Sequence, residues 1–583
     1  MATNSTVNMA ELLAKLRQQQ ATAPPIAQPV STSESESENK VHHEGAARFG
    51  DAVTYNSKQL EFVTLAATGA SCVLIGAAGT GKTTCMKAVA QQLIATGVAG
   101  VMHDTGHKNL VAQTAGIVVC SFTRRAVANI RKQMPAELRH NCITLHKLLE
   151  FEPSLVDVQD ENGEWRTSKR FMPARNESNP LPAAIRTIIV EESSMVGGTP
   201  FPADTELLFN QLIAALHHQV QFIFLGDIQQ LPPVFGAAIL GFKMLELPVV
   251  ELTEVYRQAL ESPIIRLAHR ILSGKPLPLA ELPQWQFPQQ LQLLPFKRRL
   301  DEDTAVGTLA AKFKQCYDAG SWNPELDTIL LPFNKGVGTL ELNRHLATHI
   351  ATSLGRTVHE IVAGFETIYL SVGDKVLIGR EDAVITKIEP NKKYFGKSYS
   401  EASATMNYWG YDSVQHAQVG GAMSDDDIDT MIEAMAGSDS DDYKRQASHT
   451  IYYRRPDSEA EQSLSGAGDL NGILLAYALT VHKAQGSEWN RVYLCLHHSH
   501  ATMLQRELLY TAVTRARKEL IVICEADSFV KGITRQKIAG LSWQEKAEYF
   551  KGKVRDAAFQ HARAEAVAAR NYQQQLDNEG VGE

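Results

Sequence analysis

Several things this chain lacks narrow what it can be. No apolar run reaches the roughly eighteen residues needed to cross a bilayer, so a helical membrane protein is excluded. The N-terminus has no secretory pattern, and Glu11 with sparse arginine runs against a transit peptide, so a cytoplasmic location, at a nucleoid or in a host cell, is expected. Cysteine is scarce: seven in 583 residues, an odd number without metal-ligand spacing, which excludes a disulfide scaffold and a zinc module. Cys72, Cys120 and Cys524 sit in apolar runs and read as small core residues.

Positive charge is also short, with a net charge of −8. Its distribution matters more than its sum. Glu34, Glu36 and Glu38 lie in a serine-rich tail, and Asp425, Asp426, Asp427, Asp429, Glu433, Asp439, Asp441 and Asp442 lie in one later stretch. With these eleven set aside the remainder carries +3, which is compatible with a local phosphate-binding groove.

What the chain does have begins with Gly76-Ala77-Ala78-Gly79-Thr80-Gly81-Lys82-Thr83-Thr84, directly after the apolar run Cys72–Ile75. It fits the phosphate loop G-x-x-x-x-G-K-[ST], with a strand before it and a helix-forming run after it. Glycines let successive backbone N–H groups turn toward phosphate oxygens at a helix N-terminus. Lys82 then reaches the β- and γ-phosphates and the Thr83 hydroxyl ligates Mg²⁺. A nucleotide and Mg²⁺ are the expected ligands. Just upstream, Ser57 is positioned to cap a helix, and the Gln59 amide offers the donor and acceptor that pair with an adenine edge.

Three further apolar runs, Ile117–Cys120, Thr187–Val190 and Gln221–Leu225, predict more strands of one parallel sheet. Each ends in polar residues, where open α/β sheets place their ligands. Glu191 and Glu192 follow the second run; Glu191 is assigned to the metal and Glu192 to activation of the attacking water. Gly226–Val234 follows the third, and Gln230 is the candidate sensor of the γ-phosphate.

Taken together these blocks resemble superfamily 1 helicases, and within them the 5′→3′ RecD/Dda-like group. The likeness rests on Gln59, Gly76–Thr83, Ser121-Phe-Thr-Arg-Arg-Ala126, Thr144-Leu-His146, Glu191–Met195, Gly226–Val234 and Tyr256-Arg257-Gln258. After a long gap it continues with Thr480-Val-His-Lys-Ala-Gln-Gly-Ser-Glu488 and Leu509-Tyr-Thr-Ala-Val-Thr-Arg-Ala-Arg517. One departure is Glu191, where the family has Asp; the charge is kept with an added methylene.

The resemblance implies an α/β fold of two RecA-like parallel-sheet domains with ATP between them. Arg257 and Arg515 then act as the cations that meet charge building on the transferred phosphoryl, Tyr256 stacks on adenine, and Gly486 and Glu488 border the nucleotide. For the nucleic-acid strand it nominates Phe122, Thr123, Arg124 and His146 in the first domain and His482 and Ser487 in the second, groups suited to gripping phosphates without reading sequence.

On this resemblance the expected organisation is a tail (1–48), a first RecA-like domain (49–250), a second (251–354 and 471–530), an inserted SH3-like domain (355–470) and a helical C-terminal tail (531–583). Thr328–Leu331, Ile473–Tyr477, Val492–Leu496 and Leu520–Cys524 are read as strands of the second sheet. The resemblance implies a pin hairpin at about 151–180, for which Asn162-Gly163 is a fitting turn; Trp165 either stacks on a base at the fork or packs inside a small subdomain. Asp374–Ile388 and Ile451–Arg455 read as strands of the inserted domain. Its acidic loop, 424–442, is not a calcium loop: Thr430 stands where glycine is needed and Ala436 where glutamate is.

The expected activity is ATP-dependent 5′→3′ unwinding of DNA, in replication, repair or recombination, on single-stranded and forked DNA. The amphipathic spacing of Met9, Leu12, Leu13 and Leu16 offers the tail as a docking peptide for proteins of those pathways, and no membrane partner is expected. The rival readings are an RNA helicase, decided by 2′-hydroxyl contacts, and an ATP-gated nucleic-acid scaffold that does not unwind.

Overall fold

A computed structural model describes residues 55–552 except 96–101, 105–109, 113–115, 160–164, 196–207, 233–245, 392–445 and several gaps of one to four residues. The N-terminal docking helix, the pin turn at Asn162-Gly163 and the acidic loop fall outside the described residues.

The N-terminal half is built on a six-stranded parallel sheet. Its strands are β1 (Cys72–Gly76), β4 (Gly116–Ser121), β5 (Cys142–Thr144), β8 (Ile185–Val190), β9 (Gln221–Gly226) and β10 (Val249–Leu252). A short hairpin, β2 (Met102–Asp104) with β3 (Leu110–Ala112), and a long one, β6 (Phe151–Gln159) with β7 (Trp165–Pro173), branch from it. The sheet order is β10-β1-β9-β8-β4-β5. Side-chain alternation sorts its residues onto two cores. Cys72 and Leu74 join Phe62, Met86 and Ile130 on one face, while Val73 and Ile75 join Leu148, Phe209 and Leu212 on the other. Burial on both faces is why these strands read as unbroken apolar runs.

The second parallel sheet contains β11 (Leu291–Pro295), β12 (Asp327–Leu331), β20 (Ala478–Thr480), β21 (Trp489–Leu496) and β22 (Ala516–Cys524), in the order β11-β22-β21-β12-β20. Between β12 and β20 the chain forms an antiparallel hairpin, β13 (Val358–Ala363) with β14 (Glu366–Ser371). It then forms a five-stranded antiparallel sheet of β15 (Lys375–Ile378), β16 (Glu381–Pro390), β17 (Gln446–Arg454), β18 (Glu461–Gly466) and β19 (Ile473–Leu475). The Val362 N–H donates to Ser448 Oγ at 2.8 Å and ties hairpin to sheet. A separate core with Ile361, Val376, Ile385, Ile451 and Leu470 fills this insertion.

One strand assignment changes. Ile473–Leu475 does not enter the second parallel sheet; it pairs antiparallel with Val376–Ile378. The chain crosses over in the next two residues. There the Tyr477 hydroxyl donates to Asp374 Oδ1 at 2.9 Å, and Asn343 Nδ2 donates to the carbonyls of Leu475 and Ala478 on either side. These bonds fix the exit from the insertion, and the parallel strand starts at Ala478.

Candidate active site between the two sheets

The phosphate loop joins β1 to the helix Lys82–Ala95. Gly79 and Gly81 have φ of 81° and 89°, in the region that side chains other than glycine seldom adopt. A Cβ on Gly81 would lie 2.6 Å from Gln59 Nε2 and 2.8 Å from the Tyr256 ring, so the loop admits no side chain there. Lys82 Nζ folds back over the loop, donating to the carbonyls of Gly76 (2.7 Å) and Ala77 (3.1 Å). Thr83 and Thr84 occupy the first turn of the helix, partly exposed.

Glu191 and Glu192 follow β8. The Glu191 N–H donates to the Cys120 carbonyl, Ser121 Oγ donates to the Glu191 carbonyl, and buried Ser193 Oγ donates to the Leu225 carbonyl, so three strands hold this turn. Glu192 has φ 55°, a conformation that costs a non-glycine residue about 1–3 kcal/mol and persists where the surroundings enforce it. Burial, then the adjacent Glu192, raises the Glu191 carboxyl above the ordinary range; burial likewise raises Glu192, opposed by Arg515 and Lys82. Two crowded, desolvated carboxylates form a donor set that a hard divalent cation would relieve, so these residues fit Mg²⁺.

Arg515 enters from the second lobe. Only 3 % exposed, it donates to the carbonyls of Thr511 and Ser487 and to Thr514 Oγ1, and its Nη1 lies 4.0 Å from Glu192 Oε1. Its cation is thereby presented to the Glu191–Glu192 turn of the first lobe. Gln230, in the turn after β9, is buried, and its Oε1 has no hydrogen-bond partner among the described residues, an orphan that asks for a polar ligand.

The remaining nominated residues are distributed around this centre. Gln59 is fully buried: its Nε2 donates to the Thr80 carbonyl, while its Oε1 accepts from the Asn56 N–H and the Tyr256 hydroxyl. The Tyr256 N–H donates to the Gly79 carbonyl, and Arg257 opens the next helix, Arg257–Glu261. Gly486 has φ 69°, and exposed Glu488 pairs with Arg517 at 2.7 Å.

Phe122, Arg124 and exposed His146 gather at the C-terminal ends of β4 and β5, with the Phe122 and His146 rings 5.6 Å apart. Thr123 caps the helix Arg124–Gln133. Trp165 stands opposite Gln159 at the far end of the β6–β7 hairpin. His482 is half-buried, and Ser487 is buried, presenting its carbonyl to Arg515.

Four groups were missed in the sequence. Asp227 and Tyr510 lie inside recognised blocks without a role assigned, yet their side chains bond across the cleft at 2.6 Å. Arg125 forks onto Asp382 of the insertion and lies 5.0 Å from the Trp489 ring. Lys546, in the C-terminal tail, is buried with Nζ 2.5 Å from Gln229 Oε1. No sequence signal marks a lone lysine in a helical tail.

Comparison with known proteins places these blocks in context. An AAA domain model matches residues 59–236, and a UvrD-like helicase C-terminal domain model matches 475–523. The ATP-dependent RecD2 DNA helicase of Deinococcus radiodurans is 25% identical over 470 residues, covering 80% of this chain and 48% of the relative. The RecD subunit of the RecBCD enzyme from Buchnera aphidicola is 38% identical over 66 residues, 11% of each chain. This chain thus spans about half the length of the first of these relatives. Among solved structures, the Pif1 helicase of Candida albicans has 14% identity and a TM-score of 0.38, covering 86% of this chain and 99% of its own.

Proposed function

We propose that this chain, which is similar to the RecD-like superfamily 1 helicases, is an ATP-driven motor that moves 5′→3′ along single-stranded DNA and opens duplex at forks. In this reading residues 49–250 form the first lobe and 251–354 with 478–530 the second, and the SH3-like insertion lies between the two parts of the second. ATP is the substrate. Lys82, Thr83 and Glu191 would hold its phosphates and Mg²⁺, which supplies neutralisation of phosphate charge. Glu192 accepts the proton of the attacking water, and Gln230 registers the state of the site. Gln59 and Tyr256 border the base, and Arg257 is a second cation for the phosphates.

The observation that carries the proposal is Arg515 of the second lobe facing Glu192 of the first. A pocket completed by both lobes makes hydrolysis conditional on their approach, and alternating approach and release is what moves a strand past the lobes. Phe122, Thr123, Arg124, His146, His482 and Ser487 serve that strand, and Trp165 meets the duplex at the tip of the pin. Opening a base-pair step costs about 1.4 kcal/mol of stacking, a modest load for such a cycle. A scaffold that merely binds nucleic acid has no use for Lys82, Glu192 and Arg515 together.

Forked substrates with 5′ or 3′ tails, in DNA and RNA, test the reading with wild type and Lys82→Ala. The expected result is ATP-dependent unwinding from a 5′ DNA tail only, lost in the variant. Unwinding from a 3′ tail alone overturns the direction, and strand-stimulated hydrolysis without separation favours a translocase.

A further inference from the structure

Tyr510, on the helix Arg506–Val513 of the second lobe, links the two lobes directly. It is fully buried, and both hydrogen bonds of its hydroxyl cross to the first lobe. The O–H donates to Asp227 Oδ2 at 2.6 Å, and the oxygen accepts the Ala78 N–H of the phosphate loop at 2.7 Å. One donor and one lone pair are thus committed to two segments of the proposed site.

Asp227 passes this contact on. Its Oδ1 accepts the Gln229 N–H at 2.9 Å, and its carbonyl accepts the Gln230 N–H at 3.2 Å, so the carboxylate organises the turn that carries the buried Gln230 side chain. The neighbouring residue of the same helix adds a second tie, with Thr511 Oγ1 accepting the Leu231 N–H at 2.9 Å. The Thr511 carbonyl in turn accepts from Arg515 Nε at 3.0 Å. A single helical turn therefore anchors the Arg515 cation and grips the Gln230 turn.

We propose that Tyr510 is a positioning residue whose hydroxyl joins the phosphate loop to the Asp227–Gln230 turn, so that both are set correctly only when the second lobe is docked. The inference rests on the motor reading above. A purely structural tyrosine would add stability without altering turnover. A positioning tyrosine sets the geometry in which bound nucleotide is cleaved, and so acts on kcat more than on nucleotide affinity. Phenylalanine at this position keeps the ring packing, leaves the buried Asp227 Oδ2 without its donor and frees the Ala78 N–H.

The test is single-strand-stimulated ATP hydrolysis by the full chain, titrated with ATP, for wild type, Tyr510→Phe, Asp227→Asn and the double variant, with thermal melts alongside. The expected result for Tyr510→Phe is a fall in kcat of roughly tenfold with KM for ATP within about twofold. The double variant should be no worse than the weaker single one, because both remove the same link. If Tyr510→Phe fails to fold, Asp227→Asn must show the same kcat loss from the other side. A kcat within about twofold of wild type at a lowered melting temperature overturns the inference, as do losses that multiply in the double variant. Absence of strand-stimulated turnover in wild type would instead overturn the motor reading itself.

Discussion

Arg125 and Asp382 join the first lobe to the insertion, a guanidinium on the first lobe gripping a carboxylate on the inserted β-sheet in a two-pronged pair. Trp489 of the second lobe lies under the same guanidinium, so one side chain touches three bodies. Burial pulls Arg125 down to about 9, which marks the cost of holding it there. Both side chains keep some solvent exposure, 21 % and 15 %, so the pair counts for less than a dry one. Asp382→Ala should destabilise the protein by about 1–3 kcal/mol, because it strands a desolvated cation. Arg125→Met combined with Asp382→Leu should recover most of that loss, as measured by denaturant unfolding.

Arg515→Lys keeps the charge and loses the fork that is held by the Thr511 and Ser487 carbonyls. Strand-stimulated kcat should fall about as far as with Arg515→Ala, on the order of 10³-fold, while binding of a fluorescent ATP analogue changes little. Recovery of near-normal turnover by lysine would show that charge alone suffices there.

Lys546 sets two effects against each other. Burial lowers its ammonium from the ordinary range, while Gln229 Oε1 and the Ile228 carbonyl accept from it. The desolvation cost and the hydrogen bonds largely cancel, so Lys546→Met should leave stability within about 1 kcal/mol. It nevertheless frees the Gln229 side chain beside the Gln230 turn. Strand-stimulated turnover should therefore drop several-fold in an enzyme that melts normally, a split that parallel melts and ATPase assays can read.

Lys375 makes stability depend on pH. Burial, then nearby Arg125, brings it down to about 7 against the pull of Glu325 and Asp327. Between that value and the ordinary lysine value the unfolded chain binds more protons than the folded one. Stability therefore rises with pH across that window. Lys375→Met should flatten this slope and raise the melting temperature most at neutral pH and below, and hardly at all above pH ~10. Melts at pH ~6.5, ~8 and ~9.5, the first just below the window and the others inside it, check it.

Much of this was legible in the residues themselves. Buried parallel strands carry unbroken apolar runs, so β1, β4, β8, β9, β12, β21 and β22 announce themselves. β5 has three residues and β10 contains Glu251, so neither has enough apolar length to stand out. Ile473–Leu475 is apolar like its neighbours, and only the bonds of Asn343 and Tyr477 decide which sheet receives it. The phosphate loop and the paired glutamates were readable because their chemistry is local in sequence. Tyr510 with Asp227 and Lys546 with Gln229 were not, since each pair joins residues about 280 or more positions apart.

Leu231 of the first lobe is buried in the apolar core of the second, among Ile264, Leu508 and Ala512. Parting the lobes therefore wets greasy surface, and the equilibrium between apart and together carries a heat-capacity change like that of a small unfolding step. Chilling should loosen the pair and sulfate should tighten it, before any nucleotide is added.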